Sequence, residues 1–314
     1  MAHGRGRRSV RKSVGPRLIR RYRYVQADVF TSRPFGGNQL AVFTDARGLS
    51  DAEMQAIARE MAFSETTFVL PATRPEASRR VRIFTPSVEM PMAGHPTVGT
   101  AWVLARRGDL PLPEAILELG IGPVTVRVED DFVWMTHRPA EFGTVRTDPA
   151  AVAKALAISP DDVDPRWPIQ TVSTGFPFLL VPVRSLAAIA RCRSDADALG
   201  ALFRQEPPVS VYPFTTETVS PQATLHSRMF SPHVAGVVED PATGSAAAPM
   251  GAYAVKHGLV PGAPRTRLVI EQGLEMHRPS EIHVDVRRNG DEVAELRIGG
   301  QTVIVGEGEL IWSS

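Results

Sequence analysis

Two turns of this chain place glycine beside a polar residue at the head of a predicted helix, a pattern that suits anion binding. Pro91-Met92-Ala93-Gly94-His95 matches Pro241-Ala242-Thr243-Gly244-Ser245 at an offset of 150 residues. Each turn runs into a segment that is small or apolar nearly all round, 96–107 and 246–257. That composition predicts a helix inside a core. The first-turn N–H groups of a helix lack intrahelical partners and carry partial positive charge, so two such ends aimed at one cleft would hold a carboxylate. Gly94 and Gly244 would let the backbone approach the ligand, and Ser245 could cap its helix and donate to a bound acid. The same pairs serve equally well in two capped, buried helices that bind nothing.

Glu65 stands between a helical apolar stripe and an apolar strand. Partial burial there would raise its basicity as proton abstraction from carbon requires; an ordinary surface Glu at a strand start reads the same way. His95 at a helix head is often a cap, Asp240 before Pro241 is a common turn residue, and Asn38 could satisfy turn backbone groups or bind substrate. The other histidines form no ligand cluster, and Cys192 is the only cysteine. Intrachain disulfides, cysteine-based zinc sites and iron–sulfur clusters are thereby excluded, and no metal or other cofactor is expected. A cytoplasmic location is the default for such a chain.

The 314 residues have an ordinary globular composition, long enough for two cores. Residues 1–21 hold eight basic side chains and no acid, leaving a body of net charge near −7. The tail is expected to be disordered and dispensable. It has no apolar run of a secretory signal, though its Arg-rich composition also fits a transit peptide. Neither nucleic-acid binding nor a membrane span is expected.

Short strand-like runs dominate, at 23–30, 40–44, 66–70, 80–85, 123–128 and 132–136, then 176–183, 209–214, 224–230, 266–271, 281–287, 293–298 and 302–313. Ser50 with Glu53 predicts a capping box for a helix through Met61, and Asp148-Pro149 predicts a helix start. Upstream of the matched turns, Arg82-Ile83-Phe84-Thr85-Pro86 matches Arg228-Met229-Phe230-Ser231-Pro232, and Glu89 matches Glu239. Strand, proline, acidic turn, glycine and buried helix therefore recur in order. The expected fold is α+β, with two homologous pseudo-twofold lobes. Each is a curled, mostly antiparallel sheet around a central buried helix, over 22–134 plus 303–314 and over 135–302.

Several blocks together resemble the PhzF family of phenazine-biosynthesis isomerases. They are Asp28-Val29-Phe30-Thr31, Pro34-Phe35-Gly36-Gly37-Asn38, Phe63-Ser64-Glu65-Thr66-Thr67-Phe68-Val69, Gly94-His95-Pro96-Thr97, Ser173-Thr174-Gly175 and Glu239-Asp240-Pro241-Ala242-Thr243-Gly244-Ser245. The family often has proline where Gln39 stands. The resemblance implies a diaminopimelate-epimerase-like fold, a homodimer and a small carboxylate substrate similar to trans-2,3-dihydro-3-hydroxyanthranilate. It implies that Glu65 carries the proton, that His95 and Asp240 share the catalytic work, and that Asn38, Gly94, Gly175, Gly244 and Ser245 bind substrate. Two rivals stand beside it: a Glu-based amino-acid epimerase, and a ligand-binding protein without activity. A two-thiol racemase is excluded, because the facing turns carry no cysteine.

Overall fold

The computed structural model describes residues 19–204, 207–234, 238–290 and 292–313. The first part of the chain gives β1 (Ile19–Val29), β2 (Asn38–Phe43), α1 (Asp51–Met61), β3 (Glu65–Leu70), β4 (Arg79–Phe84) and β5 (Glu89–Met90). It continues with α2 (Gly94–Arg106), β6 (Glu114–Leu119), β7 (Gly122–Glu129) and β8 (Phe132–His137). Then come β9 (Glu141–Arg146), α3 (Pro149–Ala155), β10 (Ile169–Ser173), β11 (Pro177–Pro182), α4 (Leu186–Arg191), α5 (Ala196–Leu202) and β12 (Ser210–Thr215). The last elements are β13 (Leu225–Ser227), α6 (Gly244–Lys256), β14 (Arg265–Gln272), β15 (Ser280–Asn289) and β16 (Glu292–Ser313). The α+β class expected from the sequence holds, and no described helix is long and apolar enough to cross a membrane.

Strands β1 to β8, without β5, form a run that β16 closes by pairing with both β8 and β1. This ring surrounds α2, which is buried from Gly94 to Leu104. A second run continues from β16 through β15 back to β9 and wraps α6. Both helices are apolar all round because both are covered all round. The capping residues act as read: Ser50 Oγ accepts from Glu53 N–H, Glu53 Oε2 accepts from Ser50 N–H at 2.8 Å, and Asp148 accepts from Ala150 and Ala151.

The sequence repeat is visible as a repeated ion pair. Arg82 grips Glu89 through Nε and Nη2 at 2.7 and 2.6 Å, and Arg228 grips Glu239 at 2.7 and 2.7 Å. Each guanidinium lies over the ring two residues on, Phe84 at 5.1 Å and Phe230 at 5.0 Å. Bidentate geometry of this kind orients the chain entering each glycine turn.

Two expectations fail at the ends of the chain. The runs 293–298 and 302–313 are one strand, β16, and Gly299-Gly300 is no break. A Cβ at Gly299 would lie 2.5 Å from the Phe132 ring, and one at Gly300 would lie 2.5 Å from the Phe30 ring. The glycines serve close packing where β16 passes from β15 to β1. Ile19, Arg20 and Arg21 are not tail but the start of β1, paired with Ser313, Trp312 and Ile311. Arg20 forms an ion pair with Glu53 and lies 5.3 Å from the rings of Tyr22 and Trp312, while Arg21 meets Glu309 at 2.7 Å. Glu53 on α1 and Glu309 across the ladder thus pair with the last two arginines of the expected tail. The remainder of the expected tail lies outside the described residues. A chain starting at Ile19 should keep this ladder, and one starting at Tyr22 should melt at a lower temperature. Equal melting curves for the two truncations would refute the pairing. Strand β8 also runs through the boundary expected at 134/135, since Met135 pairs with Val126 and His137 with Leu296.

Candidate active site

The two glycine turns meet in space. A Cβ on Gly94 would lie 2.6 Å from the Ser245 backbone nitrogen and 2.7 Å from Gly244 Cα. Only glycine permits that approach. The heads of α2 and α6 therefore abut, and neither N-cap residue, Ala93 or Thr243, caps with its side chain. Ser245 is the second residue of α6 and not its cap, which corrects the capping role read from the sequence. Two positive helix ends in contact repel each other and attract an anion.

The sheet delivers carboxylates to this junction. Strands β2 and β3 are parallel neighbours, with Leu40 opposite Glu65, so Asn38 and Glu65 start their strands at the same edge. Asn38 is fully buried. Its Nδ2 lies 2.7 Å from Asp240 Oδ1, 3.0 Å from the Ala242 carbonyl and 3.1 Å from His95 Nδ1. On the other side of the imidazole, His95 Nε2 is 3.4 Å from Glu65 Oε2. Burial pushes His95 down to about 3, so the ring is neutral.

The carboxylates have opposite surroundings. Asp240 accepts from Asn38 and, at 2.6 Å, from the Thr243 hydroxyl. Burial raises it to about 6 against the pull of these hydrogen bonds. Glu65 is pushed well above the usual carboxylate range by burial first and by the Asp240 charge second. Its Oε2 has no hydrogen-bond partner, nor do His95 Nε2 and Asn38 Oδ1. Near neutral pH the pair favours a single proton, held on Glu65, the acid with no donors to stabilise its charge.

Glu65, His95, Asp240, Gly94, Gly244 and Ser245 line one cavity. Asn38 is instead buried behind it, as the link between His95 and Asp240. Gly175 lies exposed in the turn between β10 and β11 at φ +124° and is not among the lining residues. Met90, Met92, Phe176, Phe178 and Met229 give the same cavity an apolar wall. Reading the sequence missed that wall, because nothing in the spacing of these residues sets them apart from core. It also missed Gln272, whose Nε2 donates to the Asp240 carbonyl at 2.7 Å and to Thr243 Oγ1 at 3.0 Å.

Among the described residues no group of three or more His, Cys, Asp and Glu side chains could hold a metal ion. Cys192 is buried away from the cavity, and burial raises its thiol to about 12. Iodoacetamide should leave the folded protein unlabelled; rapid alkylation with retained fold would contradict this placement.

The match to known proteins extends over nearly the whole described chain. A family model for phenazine biosynthesis-like proteins, PhzC-PhzF, matches residues 27–308. An uncharacterised isomerase of Mesorhizobium japonicum is 40% identical over 303 residues, which cover 91% of this chain and 98% of that protein. The trans-2,3-dihydro-3-hydroxyanthranilate isomerase of Pseudomonas chlororaphis is 33% identical over 92% of this chain and 99% of its own length. The crystal structure of a Bacillus anthracis phenazine biosynthesis protein of the PhzF family superposes with a TM-score of 0.86 at 31% identity, covering 93% of this chain and 99% of that one. A family model matched over residues 27–308, with relatives as similar as these over nearly their whole length, makes this chain a member of the PhzF family.

Proposed function

We propose that this protein is an isomerase that moves a proton between carbons of a small carboxylate such as trans-2,3-dihydro-3-hydroxyanthranilate. One observation carries the reading: Glu65, partly buried, and Asp240, buried, line one cavity at the junction of two helix heads that their N-cap side chains do not cap. The helix heads hold the substrate carboxylate. Glu65 gives up its resting proton to solvent as substrate enters, and the ionised carboxylate then takes a proton from carbon; its raised basicity makes it competent for that weak acid. The charge that develops is stabilised by the same N–H groups and by the neutral His95. Glu65 then returns the proton to a different carbon, so the step balances with no oxidant, metal or thiol. Asp240 stays charged on Asn38 and Thr243 and keeps Glu65 basic. The apolar wall fits the hydrocarbon body of the substrate. The cavity measures about 40 Å³, room for water but not for a ring acid, so we infer two lobes that part to admit substrate and close to exclude solvent.

Trans-2,3-dihydro-3-hydroxyanthranilate offered in D₂O should be consumed, and anthranilate should bind and contact the amides of Gly94–Thr97 and Gly244–Ala247. Binding without turnover would assign a different small acid. Absence of both would remove the reading. Two carboxylates on one cavity also suit a Glu-based amino-acid epimerase, for which exchange of the α-protons of a panel of free amino acids into solvent is the discriminating assay.

A further inference from the structure

Behind the cavity lies a buried charge cluster to which the proposed chemistry assigns no role. His226, in the middle of β13, is 1% exposed. Its Nδ1 lies 2.9 Å from Glu271 Oε1 and its Nε2 lies 2.9 Å from Glu275 Oε1. A neutral imidazole has one N–H and one lone pair, so it can satisfy only one of two ionised carboxylates. Glu271 also accepts the backbone N–H groups of Val219 at 2.6 Å and Ser220 at 2.9 Å, one on each carboxylate oxygen. Glu275 is held below the usual range; its burial works against this and its contacts with His226 outweigh it. Arg228, which is tied to Glu239, is a further charged neighbour, and the nearby Cys192 thiol is neutral.

Both carboxylates belong to the segment that holds the catalytic turn. Gln272, next to Glu271, holds the Asp240 carbonyl and Thr243. Ser280 donates to the Pro241 carbonyl at 3.1 Å. Arg278 donates to the carbonyls of Gly36 and Gly37 at 2.6 and 2.8 Å and to Asp28 at 2.6 Å, just ahead of Asn38. Residues 271–280 thus buttress both the turn that carries Asp240 and the turn that leads into Asn38.

We propose that His226, as an imidazolium clamped between Glu271 and Glu275, is a positioning residue that pins segment 271–280 and so holds the Asp240–Thr243 turn in register with the head of α6. This deepens the reading of the site as a carboxylate-binding centre, but its direct tests do not depend on that reading. Burial alone would lower the His226 pKa, yet the two carboxylates raise it above 6.5. A raised folded-state value means that the clamp is fully present below the unfolded value near 6.5 and is lost as pH rises through the folded one.

Nitrogen NMR of the intact wild-type protein at pH 7 should show both His226 ring nitrogens protonated. Amide exchange, corrected for its intrinsic pH dependence, should accelerate at 240–247 as that signal titrates, while α1 stays unchanged. His226→Gln should accelerate exchange at 240–247 by roughly ten- to a hundredfold, the effect of losing one charge-assisted hydrogen bond. It should weaken anthranilate binding in proportion. His226→Lys, which keeps a cation, should recover part of both. A neutral His226 at pH 7, or exchange at 240–247 that ignores its titration, overturns the proposal even if the Gln variant fails to fold. If wild type does not bind anthranilate but its exchange at 240–247 follows His226, the carboxylate reading fails and the clamp stands.

Discussion

Glu65→Gln is expected to lower turnover by roughly 10²–10⁴-fold, the usual contribution of a general acid–base group. The amide keeps the size of the side chain and cannot carry the proton. Anthranilate should bind about as well as to wild type, because its carboxylate is assigned to the heads of α2 and α6. The same substitution should raise stability at neutral pH. Glu65 has a folded pKa above its unfolded value, so wild type gives up stability as pH rises above about 4.5, where the unfolded chain ionises first. The variant carries no such penalty. Its melting temperature should exceed that of wild type at pH 8, and the gap should shrink toward pH 4. Turnover near the wild-type rate would remove Glu65 from the mechanism, and a stability gap that widens in acid would refute its burial as the uncharged acid.

Gly94→Ala should disable binding and destabilise the fold together. Its Cβ would fall 2.6 Å from the Ser245 nitrogen and 2.7 Å from the Gly244 Cα and carbonyl carbon. These are backbone atoms of the facing helix head, so no rotamer change relieves the overlap. The heads of α2 and α6 must separate, which breaks the convergence of N–H groups. Overpacking in a core typically costs about 1–3 kcal/mol, and here it also moves the turn that carries Asp240. Gly108→Ala is the matched control, because Gly108 has φ +73° and nothing within 4 Å of a Cβ. It should cost about 1–2 kcal/mol of backbone strain and leave anthranilate affinity alone. Urea midpoints and calorimetric titration of both variants separate the cases. A Gly94→Ala protein with wild-type affinity and midpoint would mean that the two turns do not touch.

Much of this architecture could be read before any coordinates. The capping box at Ser50, the two covered helices and the recurring Arg, Phe, Pro, Glu and Gly order are local signals, set by neighbours a few residues away. They located Glu65, His95, Asp240 and Ser245 because each sits beside such a signal, and the family resemblance supplied the role proposed for Glu65. Other features depend on partners far along the chain. Gly299-Gly300 looks like a break until Phe30 and Phe132 occupy the space a Cβ would need. Arg20 and Arg21 look like tail until Glu53, Trp312 and Glu309 meet them. Local sequence does not reveal that Asn38 would be withdrawn from the cavity to join His95 to Asp240, or that Gln272 and His226 would buttress the turn from behind. The order of residues determined which groups could do chemistry and which helices must be buried. The raised pKa values of Glu65 and Asp240, and their meeting at two helix heads, arise only when the tertiary structure withdraws both carboxylates from water and brings them to one cavity.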